Sequence, residues 1–207
     1  DDEPAAMPGG AVKQRDFAEK FIVLFAGAMG LVQGLDTVLE CARLCKSTLP
    51  DVQFVLVGGG VDKQRLQKRA EEMALANVTF LPPRPQSAMG EIYAMADALL
   101  VHLKDDPLFR ITIPSKTQAY LYVGKPLIMA LRGDAADLVH KSGAGVVCAP
   151  EDAPGLLKAI EELHGMTPAA RRIMGAAGHR FYMQHLSFPV GVGRFEQLMV
   201  SLVEASR

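Results

Sequence analysis

A rhythm limits the folds open to this chain. Short apolar runs alternate with stretches of helical spacing, and the runs recur six times between Phe21 and Ala149. Phe21-Ile-Val-Leu-Phe-Ala26 has no polar member, so a strand there must be buried on both faces. Val52 to Val57, Asn77 to Leu81, Asp97 to Leu103, Pro126 to Ala130 and Gly145 to Ala149 repeat the signal. Between and after them, helices are predicted over Leu35 to Ser47, Asp62 to Leu75, Gln86 to Met95, Pro114 to Tyr122, Asp134 to Lys141, Asp152 to His164 and Pro168 to Gln184. A final one is predicted over Phe188 to Ser206. Strands of this length joined through helices demand a parallel sheet with right-handed crossovers. The expected architecture is α/β: a Rossmann-like, doubly wound parallel sheet of about six strands. It should occupy residues 20–186, after a Pro- and Gly-rich linker or truncation seam at residues 1–19. Residues 187–207 should form a helix that packs on this domain or on an absent one.

Composition sets the outer limits. Of 207 residues, 49% are hydrophobic and 22% charged, which excludes a disordered chain. A net charge of −1 gives no basic footprint, so nucleic acid is not an expected partner. The apolar stretch from Phe21 to Leu35 is broken by glycine and shorter than the roughly 20 residues a bilayer requires. Cys41, Cys45 and Cys148 lack CxxC spacing and nearby histidines, so they read as small buried residues of a cytoplasmic protein.

In a doubly wound sheet ligands bind beyond the carboxyl ends of the strands, which makes the residues there the candidates. The first strand runs into Gly27-Ala-Met29-Gly30-Leu-Val-Gln33-Gly34 and then a helix. Glycines there can admit an anion to helix N–H groups, or simply make tight turns. The spacing is neither G-x-G-x-x-G nor that of a P-loop, and no acidic residue ends the second strand, so a dinucleotide site is not expected. The second strand ends in Gly58-Gly59-Gly60, with Lys63 and Arg65 beyond. The third ends in Pro82-Pro83-Arg84-Pro85, a rigid corner that either frames a planar base or merely stiffens the connection. After the fourth come His102, the adjacent Asp105 and Asp106, then Arg110 and Pro114-Ser115-Lys116, which can bring two cations, a hydroxyl and helix N–H groups to one anion. His102 either approaches a ligand or serves the structure. Asp105 and Asp106 read as solvated rather than as a metal pair, so no metal is expected. Tyr120 and Leu121 read as core.

Taken in order, these stretches resemble the carboxyl-terminal half of retaining, family-4-like glycosyltransferases of the GT-B fold. The ordered set is Gly27-x-x-Gly30-x-x-Gln33-Gly34-Leu-Asp36, Val55-Leu-Val-Gly58-Gly-Gly60, Asn77 to Leu81, Met95-Ala-Asp97 to Val101, Pro114-Ser-Lys116 and Gly124-Lys-Pro-Leu-Ile128. The Pro-Ser-Lys form is similar to the branch that makes bacterial surface polysaccharides such as lipopolysaccharide, including transferases of N-acetyl-fucosamine-like sugars. The resemblance implies one lobe of a GT-B fold that binds a nucleoside-diphosphate sugar, most simply a UDP-sugar, as substrate and needs no cofactor. It implies that Gly27, Met29, Gly30, Gln33, Gly34, Gly58, Gly59, Lys63 and Ser115 surround the donor, with Arg84 and Pro85 at the base. It further implies an absent amino-terminal acceptor domain, without which the lobe is inactive, and a lipid-linked acceptor met at the inner face of the cytoplasmic membrane.

Two departures shape the expected chemistry. The family usually places a basic residue where this chain has Gln33, and its Glu-x7-Glu pair falls on Ile111 and Ala119. Arg110 and Lys116 are therefore the candidates to stabilise the departing diphosphate. Alternatives are a non-catalytic nucleotide-binding scaffold, favoured by the missing glutamates, and a sugar-nucleotide epimerase of related fold.

Overall fold

Six parallel strands form one sheet in the order β3-β2-β1-β4-β5-β6. They are β1 (Phe21–Ala26), β2 (Val52–Val57), β3 (Val78–Leu81), β4 (Ala98–His102), β5 (Leu127–Ala130) and β6 (Gly145–Cys148). The computed structural model describes Phe17 and residues 19–205. Apart from Phe17 and Glu19, the linker expected over residues 1–19 lies outside the described residues, as does Ser206.

The helices are α1 (Asp36–Thr48), α2 (Lys63–Glu72), α3 (Met89–Ala94), α4 (Pro107–Arg110), α5 (Ser115–Val123), α6 (Asp134–Ser142), α7 (Ala153–Gly165), α8 (Pro168–His185) and α9 (Phe188–Ala205). Alternate residues of β1 separate two cores. Phe21, Val23 and Phe25 pack with Leu39 of α1, Leu66 of α2 and Leu156 of α7. Ile22, Leu24 and Ala26 pack with Ile92 of α3, Leu121 of α5 and Val139 of α6. Helices thus cover both faces, which is what the predominantly apolar strands require. The doubly wound sheet of six strands is the architecture the sequence predicts.

The departures are local. Gln86 to Met95 is not one helix: Gln86–Ala88 forms a single 3-10 turn and α3 follows it. α2 stops at Glu72, short of Leu75, because Ala74 turns left-handed with φ 51°. Pro114 caps α5 in an extended conformation and does not lie within it. The periodicity missed α4, whose N–H at Leu108 is accepted by the Asp106 carboxylate at 2.8 Å with Pro107 at the first helical position.

Cys41 and Cys45 are buried and free, as expected for small core residues, and Cys148 is half-buried. Burial pushes the Cys148 thiol up to about 12, which leaves it unreactive. On α9, Phe195, Leu198, Met199, Leu202 and Val203 are all exposed, so this helix does not pack its apolar stripe on the domain. Among the described residues no helix is long and apolar enough to cross a membrane.

Candidate functional site

The sheet opens where its winding reverses. β1 pairs with β2 along all six of its residues, but with β4 only at Val23↔Ala98 and Leu24↔Leu99. Beyond Leu24 the strands splay, and Ala26 would be left with two unpaired backbone groups in the core. The phenol of Tyr120, on α5, fills the gap. Its oxygen accepts the Ala26 N–H at 2.9 Å and its hydroxyl donates to the Ala26 carbonyl at 3.2 Å. Tyr120 is wholly buried, with its ring edge against Tyr93. A crevice held open at this reversal point is the usual ligand position in an open α/β sheet.

One wall of the crevice is backbone. The turns after β1 and β2 are stitched together by Gly27 N–H to Val57 O at 2.9 Å, Met29 N–H to Gly59 O at 2.8 Å, and Asp62 N–H to Met29 O at 3.0 Å. Gly58 (φ 144°) and Gly60 (φ 146°) make this approach possible, because a Cβ on either would overlap the carbonyl oxygen of Gly27 or Met29. Three residues expected around the donor have partners within the protein instead. Met29 is fully buried, with both backbone groups engaged, so it belongs to the core. Lys63 donates to the carbonyls of Gly58 at 2.8 Å and Leu81 at 2.9 Å, so its ammonium ties strand ends together. The Gly30 N–H is taken by the Gln33 side-chain oxygen at 2.9 Å, which makes Gln33 the brace of its own turn. Gly59 is half-buried on its turn, whereas Gly34 is buried against the His102 ring.

The opposite wall carries the unusual charge. Lys116, in the first turn of α5, lays its ammonium 3.8 Å from the centroid of the Phe25 ring, beside Gly27. Its Nζ is out of solvent and has no hydrogen-bond partner. A cation–π contact offsets only part of the cost of burying an ammonium. Burial accordingly pulls the Lys116 ammonium down to about 8. The hydroxyl of Thr117 is also buried without a partner, while Ser115 is exposed at the mouth.

Arg110 sits elsewhere. Its guanidinium donates to Asp105 at 3.0 Å, and Asp105 also faces Arg132 at 3.6 Å. The side chains expected to share one anion therefore begin apart: Lys116 on Phe25 and Gly27, and Arg110 on Asp105. Asp105 and Asp106 are occupied as ion-pair partner and helix cap, and among the described residues no group of three His, Cys, Asp or Glu is arranged to hold a metal. Arg84 and Pro85 are exposed on the turn after β3, where Pro85 accepts the Ala88 N–H at 2.9 Å. Ile111 and Ala119 both face solvent. His102 is 1% exposed with both ring nitrogens engaged, so its structural reading holds.

Sequence reasoning missed three contributors. Phe25 read only as strand core, Tyr120 only as helix core, and Glu151 not at all. Asp36, Arg65, Arg69 and Asp62 form a surface network beside the turns, with the Arg65 guanidinium holding both carboxyls below their usual range. The i,i+3 spacing of Asp62 and Arg65 was a usable signal for that network. No spacing could reveal the Tyr120 bond, which spans 94 residues.

Comparison with known proteins agrees with this geometry. Residues 11–180 match the family model described as glycosyl transferases group 1. The chain is 23% identical over 190 residues to the probable glycosyltransferase WbjE of Pseudomonas aeruginosa, covering 91% of this chain and 46% of that protein. It is 30% identical over 146 residues to the putative colanic acid biosynthesis glycosyl transferase WcaI of Escherichia coli K12, covering 69% of this chain and 35% of that one. Among solved structures, sucrose-phosphate synthase from Thermosynechococcus elongatus superposes with a TM-score of 0.76 at 22% identity, covering 90% of this chain and 46% of that one. Anabaena Alr3699/HepE in complex with UDP superposes with a TM-score of 0.74 at 18% identity, over 93% and 51%. The chain thus spans about half the length, or less, of these relatives, and its sheet has the fold of GT-B glycosyltransferases. By its sequence model and its architecture together, this chain belongs to the glycosyl transferases group 1 family.

Proposed function

We propose that the chain binds the diphosphate of a nucleoside-diphosphate sugar, a UDP-sugar in the simplest case, in the crevice between β1 and α5. The observation that carries this reading is the unpartnered Lys116 ammonium, buried beside Gly27 at the reversal point of the sheet. A buried cation with no counter-charge is a cost to the free protein, and a diphosphate oxygen removes it. The complexes of HepE with UDP and with UDP-glucose support the choice of nucleotide.

In the reaction so envisaged, a hexosyl group leaves the diphosphate for a hydroxyl of a polysaccharide or lipid-linked acceptor, with retention of configuration. Negative charge grows on the departing diphosphate as the glycosidic bond breaks. A fixed ammonium beside it gains more in the transition state than in the ground state. Arg110 would add a second cation by exchanging Asp105 for the ligand. The chemistry needs no metal or cofactor on this reading. The acceptor would be held by a domain corresponding to the remaining length of the relatives, against which α9 would lay its exposed stripe, so this chain alone would bind but not transfer. The Pro114-Ser115-Lys116 form favours the N-acetyl-fucosamine-like branch and a cytoplasmic site at the inner membrane face.

A thermal-shift panel of UDP-, GDP-, ADP- and TDP-sugars tests the reading. A shift with one nucleotide, abolished by Lys116→Ala, is the expected result. No shift with any of them would sink it. The exposed Ile111 and Ala119 favour a second reading, nucleotide binding without transfer. Sugar transfer by the full-length protein would exclude that option.

A further inference from the structure

One buried imidazole joins the turns that border the crevice. His102 closes β4, and its Nδ1 lies 2.8 Å from the Gln33 carbonyl oxygen, to which it can only donate. Its Nε2 accepts the backbone N–H of Glu151 at 3.3 Å. These partners fix the neutral ring in one tautomer. The glycine turn closes tightly on it, since a Cβ at Gly34 would stand 2.9 Å from His102 Cε1.

Glu151 extends the connection. It holds a left-handed backbone (φ 55°) that a non-glycine residue rarely adopts, and its carboxylate accepts the Asp105 N–H at 2.9 Å. Asp105 then holds Arg110 and Arg132. A continuous path therefore runs from Gln33 through His102, Glu151 and Asp105 to Arg110. We infer that His102 and Glu151 are positioning residues that lock the Gly30–Gly34 turn to the Arg110 turn, and so set how tightly the crevice holds a diphosphate. This inference rests on the function proposed above.

The lock has a direction in pH. Protonated Nε2 would point an N–H at the Glu151 N–H, and the two donors would part. Burial lowers the His102 pKa, while the Gln33 carbonyl and the Glu151 carboxylate favour the proton. The other charged group close by is Lys104, whose Cγ lies near Gly34. Neutral His102 therefore dominates above the ordinary histidine range, and acid releases the turn.

Calorimetric titration with UDP-glucose, a diphosphate diester that does not itself titrate near neutrality, tests the inference on the chain, H102N and H102L. Asn can replace the Nδ1 donor to Gln33; Leu cannot. The parent should hold its affinity from about pH 7.5 down to the ordinary histidine value near 6.5 and lose it only below that, where His102 takes up its proton. H102L should already be about tenfold weaker at the upper pH, whereas H102N should stay near the parent there and lack the acid loss. Lys116 titrates in the opposite sense over this range, because acid charges it, and cannot imitate the loss. If the parent binds and H102L binds equally well, or H102N keeps the acid loss, the inference is overturned. Should neither variant fold, a flat profile in the parent overturns it and an acid loss supports it. A parent that binds no nucleotide at all would instead refute the function on which the inference rests.

Discussion

Two lysines at the same edge of the sheet have opposite fates. Lys63 opens α2 after β2, and Lys116 lies one residue inside α5 after β4. Lys63 donates two of its three N–H groups to the carbonyls of Gly58 and Leu81, so its charge holds strand ends together. Lys116 meets only the Phe25 ring and the bare backbone of Gly27. A cation that the protein has already coordinated is part of the scaffold. One that it has desolvated and left unpaired is prepared for something else.

The contrast breaks most severely if the interlocked turns do. Gly58→Ala should cost about 4 kcal/mol or more of stability, because the new Cβ overlaps the Gly27 carbonyl at a backbone angle that alanine avoids. Denaturant unfolding would register it, and a normal midpoint would show that the turns can separate. Next in size, Lys116→Ala should weaken nucleoside-diphosphate binding roughly 10- to 100-fold in calorimetry, the worth of a hydrogen bond to a charged group. Lys63→Ala should do the reverse: a loss of about 1–3 kcal/mol in urea, from two orphaned carbonyls, with nucleotide affinity barely changed. If Lys63→Ala abolishes binding in a protein that remains folded, the division between the two lysines fails.

Titration sharpens the comparison further. The Lys116 ammonium is pulled from 10.5 to about 8 by burial, so the unfolded chain binds the proton more tightly. Stability should therefore rise as the pH climbs from about 8 towards 10.5. For the same reason Lys116→Met should stabilise the ligand-free protein at neutral pH, on the order of 1 kcal/mol in urea. Affinity for a diphosphate should move the other way and decline above about pH 8 in the parent. Lys116→Arg, which keeps its charge, should show no such decline in a calorimetric pH series.

These two residues also mark how far the sequence can be read. The strands β1 and β2 were legible to the residue, because near-continuous apolar runs, broken in β2 only by Gln53, have few other uses. The short α4 was not, since four residues carry no periodicity and the Asp106–Pro107 cap was its sole signal. Lys63 and Lys116 look alike in sequence, each following a strand and a turn. What separates them is whether carbonyls five and 18 residues away fold back onto the ammonium, and that follows from the turn geometry. Pro114-Ser115-Lys116 marked Lys116 as a candidate to meet an anion, but its seat on Phe25 was not readable. His102 and Glu151 meet across 49 residues, a distance over which local patterning is silent.

The Tyr120 phenol has one more consequence. Because it satisfies Ala26 on both backbone atoms, the splay of β1 from β4 is filled by protein and already built into the fold. If nucleotide binds beyond these strand ends, as proposed, it has no strand-parting step to wait for. Association measured in stopped flow should speed up in proportion to nucleotide concentration without reaching a plateau, in the manner of a simple encounter.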